Sequence, residues 1–314
     1  MPYRPIDPAR IHVTSLAERP SKVRAQDAGR TVAADASFRD WFDALPNILA
    51  GESLRELVAR TVRAIETKRP ILLGMGGHVI KVGLGGMVCD LVRDGLLAAI
   101  VSNGSVTIHD TELALVGKTS EDVDTALQDG TFGMSGETAQ FILEAIALRP
   151  PEVGLGRSLG DALLASSAPY AASSVLATCA EREVPLLVTV AIGTDIIHAH
   201  PQADGAALGA AALADFRTLC SVVGDLLDGG VYLNFGSAVL LPEVFLKAVS
   251  VARNLGYGGD FTTADFDFIR QYRSMTNVVR RPHLGTAGKG YSFTGHHELL
   301  FPLFWQAVRS RLDA

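Results

Sequence analysis

Cysteine is scarce: Cys89, Cys179 and Cys220 are the only three in 314 residues. They lie far apart, each in an apolar segment, so neither a disulfide framework nor a CxxC metal site is on offer. They read as buried structural thiols. Positive charge is not in excess. Lysine and arginine number 28 against 34 aspartates and glutamates, a formal net charge of -6, so no global field draws nucleic acid or an anionic membrane. Long hydrophobic runs are missing too. Stretches such as 96–101 and 186–192 fall far short of the roughly 20 residues that span a bilayer. The opening Met1-Pro2-Tyr3-Arg4-Pro5 has no apolar core of a secretory signal, and the expected location is the cytoplasm. No internal repeat, low-complexity tract or linker interrupts the chain.

What is present is a globular composition, 48% hydrophobic and 20% charged, on a chain long enough to bury a sizeable core. Residues 1–34 hold several prolines and charges with little periodicity and read as an extended arm. The rest, 35–314, reads as a single α/β domain. Phe38, Trp41, Phe42 and Leu45 share one face of a helix over 37–45, and Ser53 with Glu56 forms a capping box for a second over 53–67. Short runs at 70–74, 97–101, 184–192 and 230–235, largely apolar, then predict strands, and 262–269 reads as a further one. Helices are predicted at 79–94, from about 108, through 118–182 with breaks, and over 204–227, 240–255 and 298–312. Such alternation predicts a parallel sheet covered on both faces.

In open parallel sheets, ligands bind beyond the carboxyl ends of the strands, so the residues just after each strand matter most. Gly76, Gly77 and His78 follow the first strand. Small residues there let a phosphate approach backbone N–H groups, although a tight turn without a ligand explains them equally well. Asn103 and Gly104 follow the second strand, with His109 and Asp110 a few residues on. Histidine beside aspartate can move protons or hold a metal, yet neighbours on a helix point about 100° apart. Thr194, Asp195, His198 and His200 follow the third strand, and Asp204 and Gly205 open the next helix. His198, His200 and Asp204 are a candidate divalent-metal set, while Asp204 alone is a good N-cap. Gly236 and Ser237 follow the fourth strand. Arg280, Arg281 and Lys289 lie on a later glycine-rich stretch and could grip a substrate anion.

The order and spacing of these segments resemble the deoxyhypusine synthase family from about residue 70 onward. The matching stretches are 73–83, 101–110, 232–237 with 240–253, and Glu298-Leu299-Leu300-Phe301-Pro302-Leu303. Both Gly193-Thr194-Asp195 and Asp204-Gly205-Ala206-Ala207-Leu208-Gly209 resemble that family's Thr-Asp-Gly-Ser-Leu-Gly stretch. The resemblance implies a Rossmann-like parallel sheet of dinucleotide-binding type, NAD as cofactor, and homotetramers with sites shared between subunits. It also implies transfer of an aminobutyl group from spermidine to a protein lysine. One departure bears on that chemistry. The family's imine-forming lysine follows the glycine-rich strand end by a few residues, where this chain reads Ser237-Ala238-Val239-Leu240-Leu241-Pro242-Glu243.

Four readings follow. The first is a divergent, NAD-dependent transferase or oxidoreductase acting on a small amine or hydroxyl substrate. In it His78, His109, Asp110, Asp195 and His198 are the catalytic candidates. Gly76, Gly77, Asn103, Gly104, Thr194, Asp195, Asp204, Gly205, Gly236 and Ser237 are the cofactor-binding ones. The second is a metal-dependent hydrolase or lyase built on His198, His200 and Asp204. The third is a non-catalytic ligand-binding or assembly protein. The fourth, deoxyhypusine synthesis itself, would need Lys247 or Lys289 as nucleophile. The expected partners are a small molecule and further copies of the chain, with no nucleic acid and no membrane.

Overall fold

A computed structural model describes residues 2–312. The chain divides into two compact units, one up to Ser53 and one from Leu54 onward. In the first, exposed chain carries two short 3₁₀ turns, Pro8–Arg10 and Ala25–Asp27, and then α1 (Phe38–Asp43). Ser37 caps α1 by accepting the Asp40 N–H at 3.1 Å. Helix α2 (Leu49–Glu66) begins one turn before Ser53, at Leu49, whose φ is 51°. The predicted capping residue therefore lies inside it.

The second unit is built on β1 (Ile71–Met75), β2 (Ala99–Asn103), β3 (Leu186–Thr189), β4 (Val231–Phe235), β5 (Thr262–Asp267) and β6 (Lys289–Thr294). All pairings are parallel, in the order β3-β2-β1-β4-β5-β6. β1 to β5 are buried on both faces apart from Asn103 at the end of β2; β1, β3 and β4 are the largely apolar runs this favours, while β5 buries Thr262, Thr263, Asp265 and Asp267 as well. The chain builds outward from β1 to β3, then returns to β4 on the other side of β1. The order thus reverses between β1 and β4, where dinucleotide folds place their ligand.

The helices of this unit are α3 (Gly77–Lys81), α4 (Gly85–Arg93), α5 (Gly104–Val116), α6 (Val123–Asp129), α7 (Gly136–Ala147), α8 (Leu155–Ala165), α9 (Val175–Glu181), α10 (Gly205–Leu226), α11 (Leu240–Asn254), α12 (Tyr272–Ser274) and α13 (His297–Leu312). Helices α10 and α11 cover one face through Leu219, Val223, Leu241, Phe245 and Val249, packed on Leu72, Val101, Leu187 and Tyr232. Tyr232 stacks on Phe245 at 3.9 Å. Under α13, Phe235 and Phe266 stack at 4.2 Å and Phe301 meets Phe235 edge-on. Each such fully buried side chain is worth about 1.5–3 kcal/mol.

Three expectations change. The helix expected over 79–94 is two, because Gly83 takes φ +80° between α3 and α4. The helix expected from about 108 starts at Gly104, directly after β2. The basic stretch expected as a loop contains β6, an edge strand whose Tyr291 and Phe293 point inward.

Helix α10 is long and apolar enough, by length and composition, to cross a membrane. Here it packs on β3 and α11. It also buries Asp215, whose Oδ2 accepts the N–H groups of Leu155 (3.0 Å), Gly156 (3.1 Å) and Val188 (2.9 Å). Burial pushes this carboxyl up to about 6, and those N–H donors pull it back toward the charged form. Cys89 and Cys179 are buried, as expected of structural thiols, and Cys220 is partly so.

Candidate functional site

The strand ends are closed against one another by glycines. Gly76 N–H donates to the Phe235 carbonyl at 2.9 Å, and a side chain at Gly76 would overlap the Gly236 carbonyl. One at Gly77 would press on Ser105 and the His109 ring. One at Gly104 would overlap the Asp195 carboxyl, and one at Gly236, whose φ is +68°, would strike the His297 ring. These four residues, expected to cradle a cofactor, are needed so that neighbouring loops can touch. The seat on the first turn of α5 is taken by Asp195, where a carboxylate is favoured by the helix dipole.

Beyond this seam lies a cleft of about 180 Å³ lined by Lys81, Ser105, His109, Glu112, Phe132 and Asp195, among others. Its chemistry centres on His109, brought there by the second turn of α5. The Thr119 hydroxyl donates to Glu112 Oε2 at 2.5 Å. Having spent its proton, Thr119 accepts from His109 Nδ1 at 2.7 Å. Glu112 Oε1 takes a second hydroxyl, from Thr138 at 3.2 Å. His109 therefore carries its proton on Nδ1 and leaves Nε2 as a lone pair. Burial, and then Lys81, lower its pKa below the ordinary imidazole value, while Glu112 opposes them.

Two further groups lie on the loop after β3. Asp195 Oδ2 and His198 Nε2, 3.9 Å apart, are buried and have no hydrogen-bond partner. Burial raises the Asp195 pKa, against the pull of His198. His198 Nδ1 is spent, accepting from Gly193 N at 3.1 Å and Asp195 N at 3.3 Å. At Gly193, beside them, a side chain would meet nothing within 4 Å. Unpartnered buried oxygen and nitrogen atoms on a loop that lines the cleft through Asp195 are of the kind that ligand hydroxyls, such as those of a ribose, would satisfy. On that test this loop, with Thr194 on it and Asn103 at the end of β2, fits a dinucleotide. Gly76, Gly77, Gly104 and Gly236 add nothing to that fit. Ser237 Oγ already accepts the Leu241 N–H at the start of α11, at 3.2 Å.

Several expected assignments are corrected. Asp110 is not catalytic. It is 2% exposed and turned away to the start of α9, accepting from Ser174 Oγ (2.6 Å), Val175 N (2.9 Å) and Leu176 N (2.9 Å). His198, His200 and Asp204 do not form a metal set. His200 Nε2 is bonded to the Gly133 carbonyl at 3.0 Å, and Asp204 Oδ1 caps α10 at Ala206 N and Ala207 N. No group of three or more His, Cys, Asp or Glu able to hold a metal occurs among the described residues. Asp204 and Gly205 form an exposed helix start and not a cofactor seat.

Of Arg280, Arg281 and Lys289, the structure places Lys289 at the other end of the sheet. Lys289 is the first residue of β6, in register with Thr262, and its ammonium pairs with Glu56. A π-helical turn, Met275–Arg280, leads the chain back from the carboxyl end of β5, and Arg281 bonds Asn277 Oδ1 at 2.9 Å. Val278 O and His283 Nε2 both meet the Thr263 hydroxyl near the start of β5. A substrate at the carboxyl ends is out of reach of Lys289, whereas Arg281 reaches back to Asn277, which bonds Glu243 on the first turn of α11 at 2.9 Å.

Sequence reasoning missed Lys81, Glu112, Thr119 and His297. Lys81 was detectable, one turn after His78 on the same helix face. Glu112 was detectable in the same way, three residues after His109 on α5, whereas Thr119 and Thr138 reach the pair only through tertiary packing.

No protein-family model matches the chain. It is 25% identical over 272 residues to a probable deoxyhypusine synthase of Methanosarcina thermophila, covering 76% of this chain and 80% of that one. A protein proposed as deoxyhypusine synthase from Entamoeba histolytica is similar in structure, with TM-score 0.51, 12% identity, and 90% and 96% of the two chains covered. A ternary complex of AgrE with ornithine and NAD+ is similar over 83% of this chain, which spans only 33% of AgrE, with TM-score 0.52 and 13% identity. The two structural likenesses show the fold.

Proposed function

We propose, from the premise that this chain is a deoxyhypusine synthase-like protein, that it is an NAD-dependent enzyme acting on a small amine or hydroxyl substrate. The observation that carries this reading is the Glu112–Thr119–His109 relay facing the cleft. When bound, NAD supplies a hydride acceptor. Asn103, Thr194, Asp195 and His198 would hold it. The substrate's hydroxyl or ammonium proton goes to His109 Nε2, and Glu112, through Thr119, stabilises the imidazolium that forms. Lys81, on the cleft wall, holds a negative group of the substrate.

The imine route of the family is not available by its usual geometry. Lys247 lies on the exposed side of α11, paired with Glu243, and Lys289 is at the amino end of the sheet. The reading is therefore oxidation or transfer without an enzyme-bound imine on either lysine.

Thermal unfolding tests the cofactor. With NAD or NADH at about 100 times its dissociation constant, stability should rise by about 2.7 kcal/mol. The midpoint of the protein stripped of metal should move with dinucleotide and stay put with zinc. A midpoint unmoved by either dinucleotide overturns the NAD-dependent reading.

A further inference from the structure

A pair of imidazoles sits at the turn after the central strand. His78, on α3, and His297, the first residue of α13, approach with their Nδ1 atoms 3.1 Å apart. Two nitrogens at that distance need one proton between them; otherwise two lone pairs face each other. The remaining contacts decide whose proton it is. His297 Nε2 lies 3.1 Å from the Phe266 carbonyl. A carbonyl only accepts, so His297 Nε2 carries hydrogen. The His297 ring is fully buried, against Phe268 at 4.6 Å and in the space left by Gly236. Burial, the largest cause, lowers its pKa, with the Phe266 carbonyl, Asp267 and Glu298 pulling the other way. It is accordingly neutral, and its Nδ1 is a lone pair. The bridging proton belongs to His78 Nδ1.

We infer that His297 is a positioning residue for His78: it fixes His78 as the Nδ1–H tautomer and leaves His78 Nε2 as a hydrogen-bond acceptor beside the switch point. The His78 ring is partly exposed, and no partner for Nε2 occurs among the described residues. Phe268 holds the ring edge-on at 4.7 Å. Charged groups around it are Lys81, Glu298 and Asp267, with His297 itself. The acceptor suits a ligand hydroxyl, ammonium or carboxamide N–H. A free imidazole prefers hydrogen on Nε2, so this tautomer is imposed by the Phe266 carbonyl through His297.

The test is a long-range proton–nitrogen correlation spectrum of the full chain carrying ¹⁵N-histidine, at mildly alkaline pH. His78 is assigned by the signals lost in His78→Gln. The expected pattern is hydrogen on Nδ1 and a bare Nε2 for His78, and the reverse for His297. A protonated Nε2 on His78 in the wild-type protein overturns the inference. In His297→Phe, which keeps a ring in the same space, His78 should move toward the Nε2–H tautomer. An unchanged His78 tautomer there also overturns it. The wild-type spectrum decides the matter even if that variant does not fold. The readout requires neither NAD nor turnover, so failure of the cofactor reading leaves it intact.

Discussion

Asp110→Ala should lower the free energy of unfolding by about 3 kcal/mol or more, among the largest losses expected of any polar substitution in this chain. The carboxyl caps the start of α9 from a distant helix, bonding one hydroxyl and two backbone N–H groups in an environment 2% exposed. A lost cap alone costs about 1 kcal/mol. Two buried N–H donors left without an acceptor add about 1–3 kcal/mol each, less whatever water can enter. Ser174→Ala removes one of the three contacts and also the Ser174 Oγ cap on the Ala177 N–H, so it should cost about 2 kcal/mol by the same reasoning. Urea unfolding of both variants checks the order. If Asp110→Ala unfolds like wild type, the capping role is wrong and the catalytic assignment returns.

His109→Gln should lower turnover by about 10²–10⁴-fold, the usual contribution of a positioned general base, with the unfolding midpoint nearly unchanged. The assay is NADH formation over a panel of small amines and hydroxyl compounds. Glu112→Gln should cost less, because it weakens the stabilisation of the imidazolium and leaves the base in place. The pH profile gives an independent check. Burial and Lys81 hold the His109 pKa below the ordinary imidazole value. Its basic form persists as pH falls, so the acid limb of kcat/KM should lie below the range of a free histidine. A His109→Gln enzyme that turns over at the wild-type rate removes His109 from the mechanism.

Most of the sheet was readable from sequence because β1, β3 and β4 are buried on both faces and so spell short, largely apolar runs. β6 was not, and for a definite reason. It is an edge strand with one wet face, so Lys289, Gly290 and Ser292 interrupt the run. The alternation of Tyr291 and Phe293 was the signal available. The strand-end rule placed His78, His109 and Asp195 just beyond the carboxyl ends of the strands, and there the structure has them. It could not separate His109 from its neighbour Asp110, which differ only in which way one turn of α5 aims them. Lys289 looked like part of an anion grip because spacing along the chain does not reveal which end of a strand a residue occupies. His297 gave no local sign, since its partners are 219 and 31 residues away.

The glycine seam also constrains how this molecule can drift over evolution. Position 76 abuts 236, 77 abuts 105, 104 abuts 195, and 236 abuts 297. Each contact is between a residue with no side chain and a neighbour that fills the vacated space. The glycine of a pair cannot gain a side chain alone without displacing its neighbour, and at 76 that neighbour is the Gly236 backbone carbonyl. A descendant that gains bulk at 104 must give up the carboxylate at 195, and one that gains bulk at 236 must shrink 297. The strand ends should therefore diverge in matched pairs, so that their history is written in correlated substitutions more than in single ones.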